Sequence, residues 1–114
     1  MPFLNIKVTT ALSEDCKTSL TQELLDATAS AIGKPKNYIM MSIEDNQSMY
    51  FAGQKMSKCA YVMVSLYGNS SYDSYNELCH KITEALLKHA GIPKNATYVS
   101  FHPTDYFGFN GGLF

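Results

Sequence analysis

Apolar and polar residues alternate from the start of the chain. Phe3, Ile6 and Val8 are apolar, and Asn5, Lys7 and Thr9 fall between them. A period of two predicts a strand over 3–10. The period then changes. Cys16, Leu20, Leu24, Ala27 and Ala31 recur at spacings of three and four, a helical stripe that Leu25 and Ile32 widen. Ser13 is a good N-cap for that helix, and Glu14 and Asp15 set negative charge in its first turn. Gly33 suits a left-handed cap at the other end, and Pro35 prevents continuation. A strand is expected over 38–43. The remainder of the chain follows the same plan. A Tyr- and Val-rich strand covers 58–66, and Gly68-Asn69-Ser70-Ser71 forms a turn and cap. Tyr75, Leu78, Ile82, Ala85 and Leu86 form a second helical stripe that Gly91 and Pro93 end. A last long strand is expected over 96–101, with short extended pieces at 48–51 and 106–109.

The two halves are one unit written twice. A shift of 58 positions brings Ser13 onto Ser71, Leu20 onto Leu78, Ala27 onto Ala85, Gly33 onto Gly91, Pro35 onto Pro93, and Lys36-Asn37 onto Lys94-Asn95. All matches keep one register, although any two helix–turn–strand units share Gly and Pro at the turn. The pseudo-repeats run over about 2–57 and 58–114 within a single domain of 114 residues. Each reads strand–helix–strand. The fold class is therefore α+β: two βαβ repeats forming a four-stranded mixed sheet, with two helices on one face. Right-handed crossovers are expected. Two helices cover one face only, yet Tyr61, Val62, Met63 and Val64 are apolar in both phases. A strand buried on both sides needs a second cover, and another subunit supplies it most simply. The alternative is a half-exposed sheet that tolerates stray apolar residues.

Composition narrows the function. A formal net charge of −1 with no basic run argues against nucleic acid and against a polybasic membrane anchor. No apolar stretch reaches the roughly 20 residues of a membrane span, and the N-terminus lacks a signal-peptide pattern, so a cytoplasmic protein is expected. Cys16, Cys59 and Cys79 are odd in number and irregular in spacing. They give neither a disulfide framework nor a zinc site, and no metal or cofactor is called for.

Five short motifs, each weak alone, stand in order along the chain. They are Pro2 after Met1, Gly33-Lys34-Pro35 with Tyr38-Ile39, Ser65-Leu66, Tyr98-Val99-Ser100-Phe101, and Gly108-Phe109-Asn110-Gly111. In this combination the sequence resembles the macrophage migration inhibitory factor family over essentially its whole length. The resemblance implies a homotrimer with an active site at each subunit boundary. It implies keto–enol tautomerisation (an isomerase activity) of aromatic α-keto acids such as phenylpyruvate and of dopachrome-type substrates. Several members of that family are cytokines secreted without a leader. A cell-surface receptor is then a candidate partner, and a non-enzymatic signalling ligand with a vestigial pocket is the alternative reading. Relatives with dehalogenase or decarboxylase activity often grip carboxylates with Arg, and this chain has none.

The chemistry centres on Pro2. Removal of Met1 would leave a secondary amine on a rigid ring. Such an amine is ordinarily a cation at neutral pH, and a general base needs a pKa near the working pH. Burial and a nearby Lys34 ammonium would both lower it. The structural alternative is a proline that merely starts a strand. Lys34 is expected at the substrate carboxylate or enolate as a point charge, or else as a solvated lysine at a helix C-terminus. Lys36 is read as serving the turn, like its repeat partner Lys94.

The remaining site residues come from the resemblance. Ser65 and Leu66 match positions whose backbone contacts substrate. Tyr98 matches a tyrosine contributed by an adjacent subunit. Ser100 stands in place of a usual asparagine. Phe107 and Phe109 replace a common Val and Trp at the pocket mouth. Some relatives carry a Cys-x-x-Cys thiol oxidoreductase motif; here Cys59 is followed three residues later by Val62, so that activity is not expected.

Overall fold

In the computed structural model, which describes residues 1–114, strand β1 (Pro2–Val8) leads into helix α1 (Glu14–Ile32) and strand β2 (Met40–Glu44). The second half repeats this with β5 (Ala60–Tyr67), α2 (Tyr72–Ala90) and β6 (Thr97–Thr104). Between the halves lies a small hairpin, β3 (Tyr50–Phe51) and β4 (Gln54–Lys55). A second hairpin, β7 (Gly108–Phe109) and β8 (Gly112–Leu113), ends the chain. The four long strands form one mixed sheet in the order β2-β1-β5-β6. β1 pairs parallel with β2, β5 pairs parallel with β6, and the two halves meet antiparallel through β1 and β5.

The helix boundaries follow the expected chemistry twice over. The Ser13 hydroxyl accepts the Cys16 N–H, and the Ser71 hydroxyl accepts the Ser74 N–H. Gly33 and Gly91 end the helices with φ of 65° and 66°, a left-handed conformation that costs a side-chain-bearing residue about 1 kcal/mol or more.

Strand alternation separates two faces. Leu4, Ile6, Val8, Val62, Val64 and Leu66 point to the helices and are fully buried. They meet Leu20 and Leu24 of α1, and Leu78, Ile82 and Leu86 of α2, in one core. The opposite face carries no helix. Phe3, Tyr61 and Met63 are half-buried there, while Tyr98 and Met40 remain 63% and 67% exposed. No helix of the chain is long and apolar enough to cross a membrane.

Several strand boundaries differ from the sequence expectation. The strand expected from residue 38 starts at Met40, because Lys36–Tyr38 makes a single 3₁₀ turn. Its repeat does the same: Lys94–Ala96 is a 3₁₀ turn and β6 starts at Thr97. β6 also runs on past Phe101 to Thr104, through Pro103. It is an edge strand, where the missing N–H of a proline is tolerated. Both expected short extended pieces are arms of hairpins. Their turns use left-handed Ala52-Gly53 and Asn110-Gly111; Asn-Gly is a strong two-residue hairpin signal that the sequence expectation passed over, whereas Ala-Gly is a weak one.

Candidate active site

Pro2 is the first residue of β1 and lies opposite Leu66 near the end of β5. Three further segments converge on this end of the sheet. The left-handed turn at Gly33 sends Lys34 back toward β5, where its ammonium donates to the Tyr67 carbonyl at 3.5 Å. The 3₁₀ turn brings Asn37 and Tyr38, and the C-terminal hairpin brings Phe107 and Phe109. The strand ends, the 3₁₀ turn and the C-terminal segment line a mostly apolar cavity of about 430 Å³, and Lys34 is not among its lining residues. Its wall includes Pro2, Phe3, Tyr38, Ser65, Phe107 and Phe109. Tyr38 meets Phe109 edge to face, with ring centroids 5.7 Å apart.

The electrostatics of this corner disfavour a cation on the chain terminus. The Met1 amine is held below its ordinary value, first by burial and then by the Lys34 charge. Lys34 pairs with no carboxylate. The two lysines of the matching turns do: Lys36 lies 2.7 Å from Asp26, and Lys94 contacts Glu84. The Met1 carbonyl accepts the Tyr67 N–H at 3.4 Å, so Tyr67 holds both the chain terminus and Lys34.

The residues expected from sequence fall into three groups. Pro2, Ser65, Phe107 and Phe109 share the cavity wall. Lys34 stands beside the terminal amine, and Leu66 is fully buried with its side chain among the core, leaving only its backbone at the site. Tyr98 and Ser100 lie elsewhere in the chain. Tyr98 pairs with Tyr61, toward the far end of the sheet from the Leu66–Pro103 row beside Pro2. Five residues along a strand separate Tyr98 from Pro103, roughly 16 Å. Ser100 is occupied by the Tyr61 hydroxyl and His102 Nε2, both at 2.8 Å.

Tyr38 and Phe3 line the cavity, and Tyr67 and Phe114 contact Lys34 and Phe109 beside it; the sequence reading assigned none of the four to the site. Tyr38 stood inside the quoted turn motif, so its position after Pro35 was the available signal. Cys59 is buried and its N–H is taken by Thr9, while burial pushes the Cys79 thiol up. No three His, Cys, Asp or Glu side chains converge in the chain.

A family model described as macrophage migration inhibitory factor matches residues 1–114. The macrophage migration inhibitory factor of Xenopus tropicalis is 32% identical over 111 residues, 92% of this chain and 96% of the relative. The crystal structure of Leishmania major MIF2 superposes with a TM-score of 0.93 at 28% identity, covering 100% of this chain and 97% of that one. A fused 4-OT wild type symmetric trimer shares the fold at 21% identity, with a TM-score of 0.87, over 97% of this chain and 94% of that one. With the family model matched from end to end and the fold shared, the chain belongs to the macrophage migration inhibitory factor family.

Proposed function

We propose that the protein is a keto–enol tautomerase of aromatic α-keto acids such as phenylpyruvate, with the amine of Pro2, freed by removal of Met1, as its general base. The observation that carries this reading is the corner where β1 begins. There the chain-terminal amine, which is that of Met1 while it is retained, has its pKa lowered first by burial and then by a Lys34 ammonium with no carboxylate partner, and the Pro2 amine would inherit those surroundings. Family membership supports isomerase activity in general, and the cavity supports the substrate class.

The chemistry follows from those groups. The neutral amine takes a proton from the carbon next to the substrate carbonyl. The electrons of that C–H bond form the new carbon–carbon double bond, the π pair of the carbonyl moves to its oxygen, and the protonated ring nitrogen returns its proton to that oxygen. Lys34 meets the charge that develops on the enolate or the charge already on the carboxylate, worth most in a site with little water. Phe107, Phe109 and Tyr38 stack the aryl group. The site is completed by a homotrimer in which a neighbouring subunit brings Tyr98 and Ser100 to the cavity. The exposed Tyr98 and the helix-free sheet face support that assembly.

With Met1 retained, the Pro2 nitrogen is a tertiary amide whose lone pair is delocalised into the carbonyl. Phenylpyruvate turnover should therefore scale with the processed fraction found by intact-mass spectrometry. Pro2→Gly keeps an amine but loses the rigid secondary ring. It should slow turnover roughly 10²-fold or more, the usual worth of a positioned base. Full activity in protein shown to retain all its Met1 would overturn Pro2 as the base.

A further inference from the structure

The C-terminal hairpin carries two residues of the cavity wall, Phe107 and Phe109, yet it is a separate two-stranded sheet. Its backbone hydrogen bonds are internal: β7 pairs with β8, and the Phe114 N–H donates to the Phe107 carbonyl at 3.2 Å. A hairpin of two-residue strands is marginal on its own. Its ring-to-ring attachments to the body are two. Phe109 meets Tyr38, and Phe114 meets the Tyr67 ring at 5.0 Å. Phe114 also lies parallel to Phe109, with centroids 6.4 Å apart. Tyr67 is the last residue of β5. It is followed by Gly68, whose N–H is fixed by the Thr104 carbonyl at 2.9 Å. The ring of Tyr67 thus stands on a rigid strand end, and its backbone carbonyl accepts the Lys34 ammonium.

We propose that Tyr67 is a positioning residue that docks Phe114 and so holds the C-terminal hairpin, with Phe107 and Phe109, at the cavity wall. The same residue holds Lys34, so the aryl wall and the cation are referenced to one point on β5. The Tyr67 hydroxyl takes part in no hydrogen bond within the chain, so the ring alone is required. The activity arm of the test rests on the tautomerase reading; the exchange arm does not.

Four variants decide the matter: Tyr67→Ala, Phe114→Ala, the double variant, and Tyr67→Phe. Phe114 lies outside the strands, so trimming its side chain leaves the sheets intact. An aromatic contact of this kind is worth roughly a three- to tenfold change in an equilibrium. Tyr67→Ala should speed hydrogen exchange at the Phe114 amide by about that factor. It should raise KM for phenylpyruvate about as much, with kcat within roughly twofold. Phe114→Ala should raise KM alike, the double variant should be no worse than either single one, and Tyr67→Phe should restore both readouts. Unchanged exchange in Tyr67→Ala, or KM effects that multiply in the double variant, would overturn the docking role. A wild-type protein without activity on phenylpyruvate would sink the tautomerase reading, and the exchange comparison would still decide the docking.

Discussion

Three lysines follow the two glycine-ended helices, and their environments assign them different work. Lys36 and Lys94 are repeat equivalents, and each is tied to the repeat-equivalent acid of its own helix, Asp26 or Glu84. Lys34 has no repeat partner, since Ile92 stands in the matching position. It is left facing the chain terminus without a counter-ion. A lysine kept for an incoming anion should be unpaired, and one that serves a turn should be paired. Lys34→Ala is therefore expected to reduce kcat/KM on phenylpyruvate by roughly 1.5–3 kcal/mol, the worth of a hydrogen bond to a charged group. The loss should be smaller on an uncharged ester of the same keto acid. Equal losses on both substrates would place Lys34 away from the carboxylate. The repeat already separated Lys34 from Lys36 in the sequence, because a role shared by both halves cannot be the site's own. Tyr67 and Phe114 were not legible in that way. Their importance depends on a ring contact between residues 47 positions apart, and no local pattern encodes such a meeting.

The two helices are joined at their outer edge by a charged cluster as well as by the core. Glu23 of α1 accepts from His89 Nε2 at 3.0 Å and from Lys88 Nζ at 3.1 Å, both in the last turn of α2. These hydrogen bonds, His89 first, hold the Glu23 carboxyl below the usual carboxylate range. A carboxyl lowered by folding stabilises the native state above its unfolded pKa, and that stability is lost as pH falls through the folded value. Glu23→Gln should thus be less stable than the parent at pH 6 by roughly 0.3–1 kcal/mol, as befits a solvent-screened contact. Urea denaturation should show that gap closing toward pH 3. A gap that stays constant with pH would assign the effect to packing. At this scale most of the fold was legible. Caps at Ser13 and Ser71, stripes of period 3.6 and glycine C-caps are local signals, and each marked its element. The ends of β2 and β6 were less legible. The 3₁₀ turns at Lys36–Tyr38 and Lys94–Ala96 use residues that could equally begin a strand.

On the scale of the whole molecule, the sheet is covered on one face and bare on the other. Every second residue of β1 and β5 is buried, Leu4, Ile6, Val8, Val62, Val64 and Leu66 completely and against the helices. The opposite residues include Phe3, Met40, Tyr61, Met63 and Tyr98, an apolar set that isolated strands would not maintain for water. The same face presents Tyr98 about 16 Å along the sheet from the Pro2 row. One chain therefore cannot bring Tyr98 to its own Pro2, and a closed ring of like subunits can bring each Tyr98 to a neighbour's cavity. Light scattering at micromolar concentration should give about three times the chain mass of 12.7 kDa. A sharper test uses mixed assemblies. Pro2→Gly subunits carry an impaired base, and Tyr98→Ala subunits lack the donated ring. If each cavity takes Pro2 from one subunit and Tyr98 from another, random assembly of the two in equal amounts leaves about a quarter of the sites with both groups intact. The mixture should then recover about that share of wild-type turnover on phenylpyruvate, well above either variant alone. If Pro2 and Tyr98 served the same cavity from one chain, or if the chains did not associate, mixing would give only the average of the two variants.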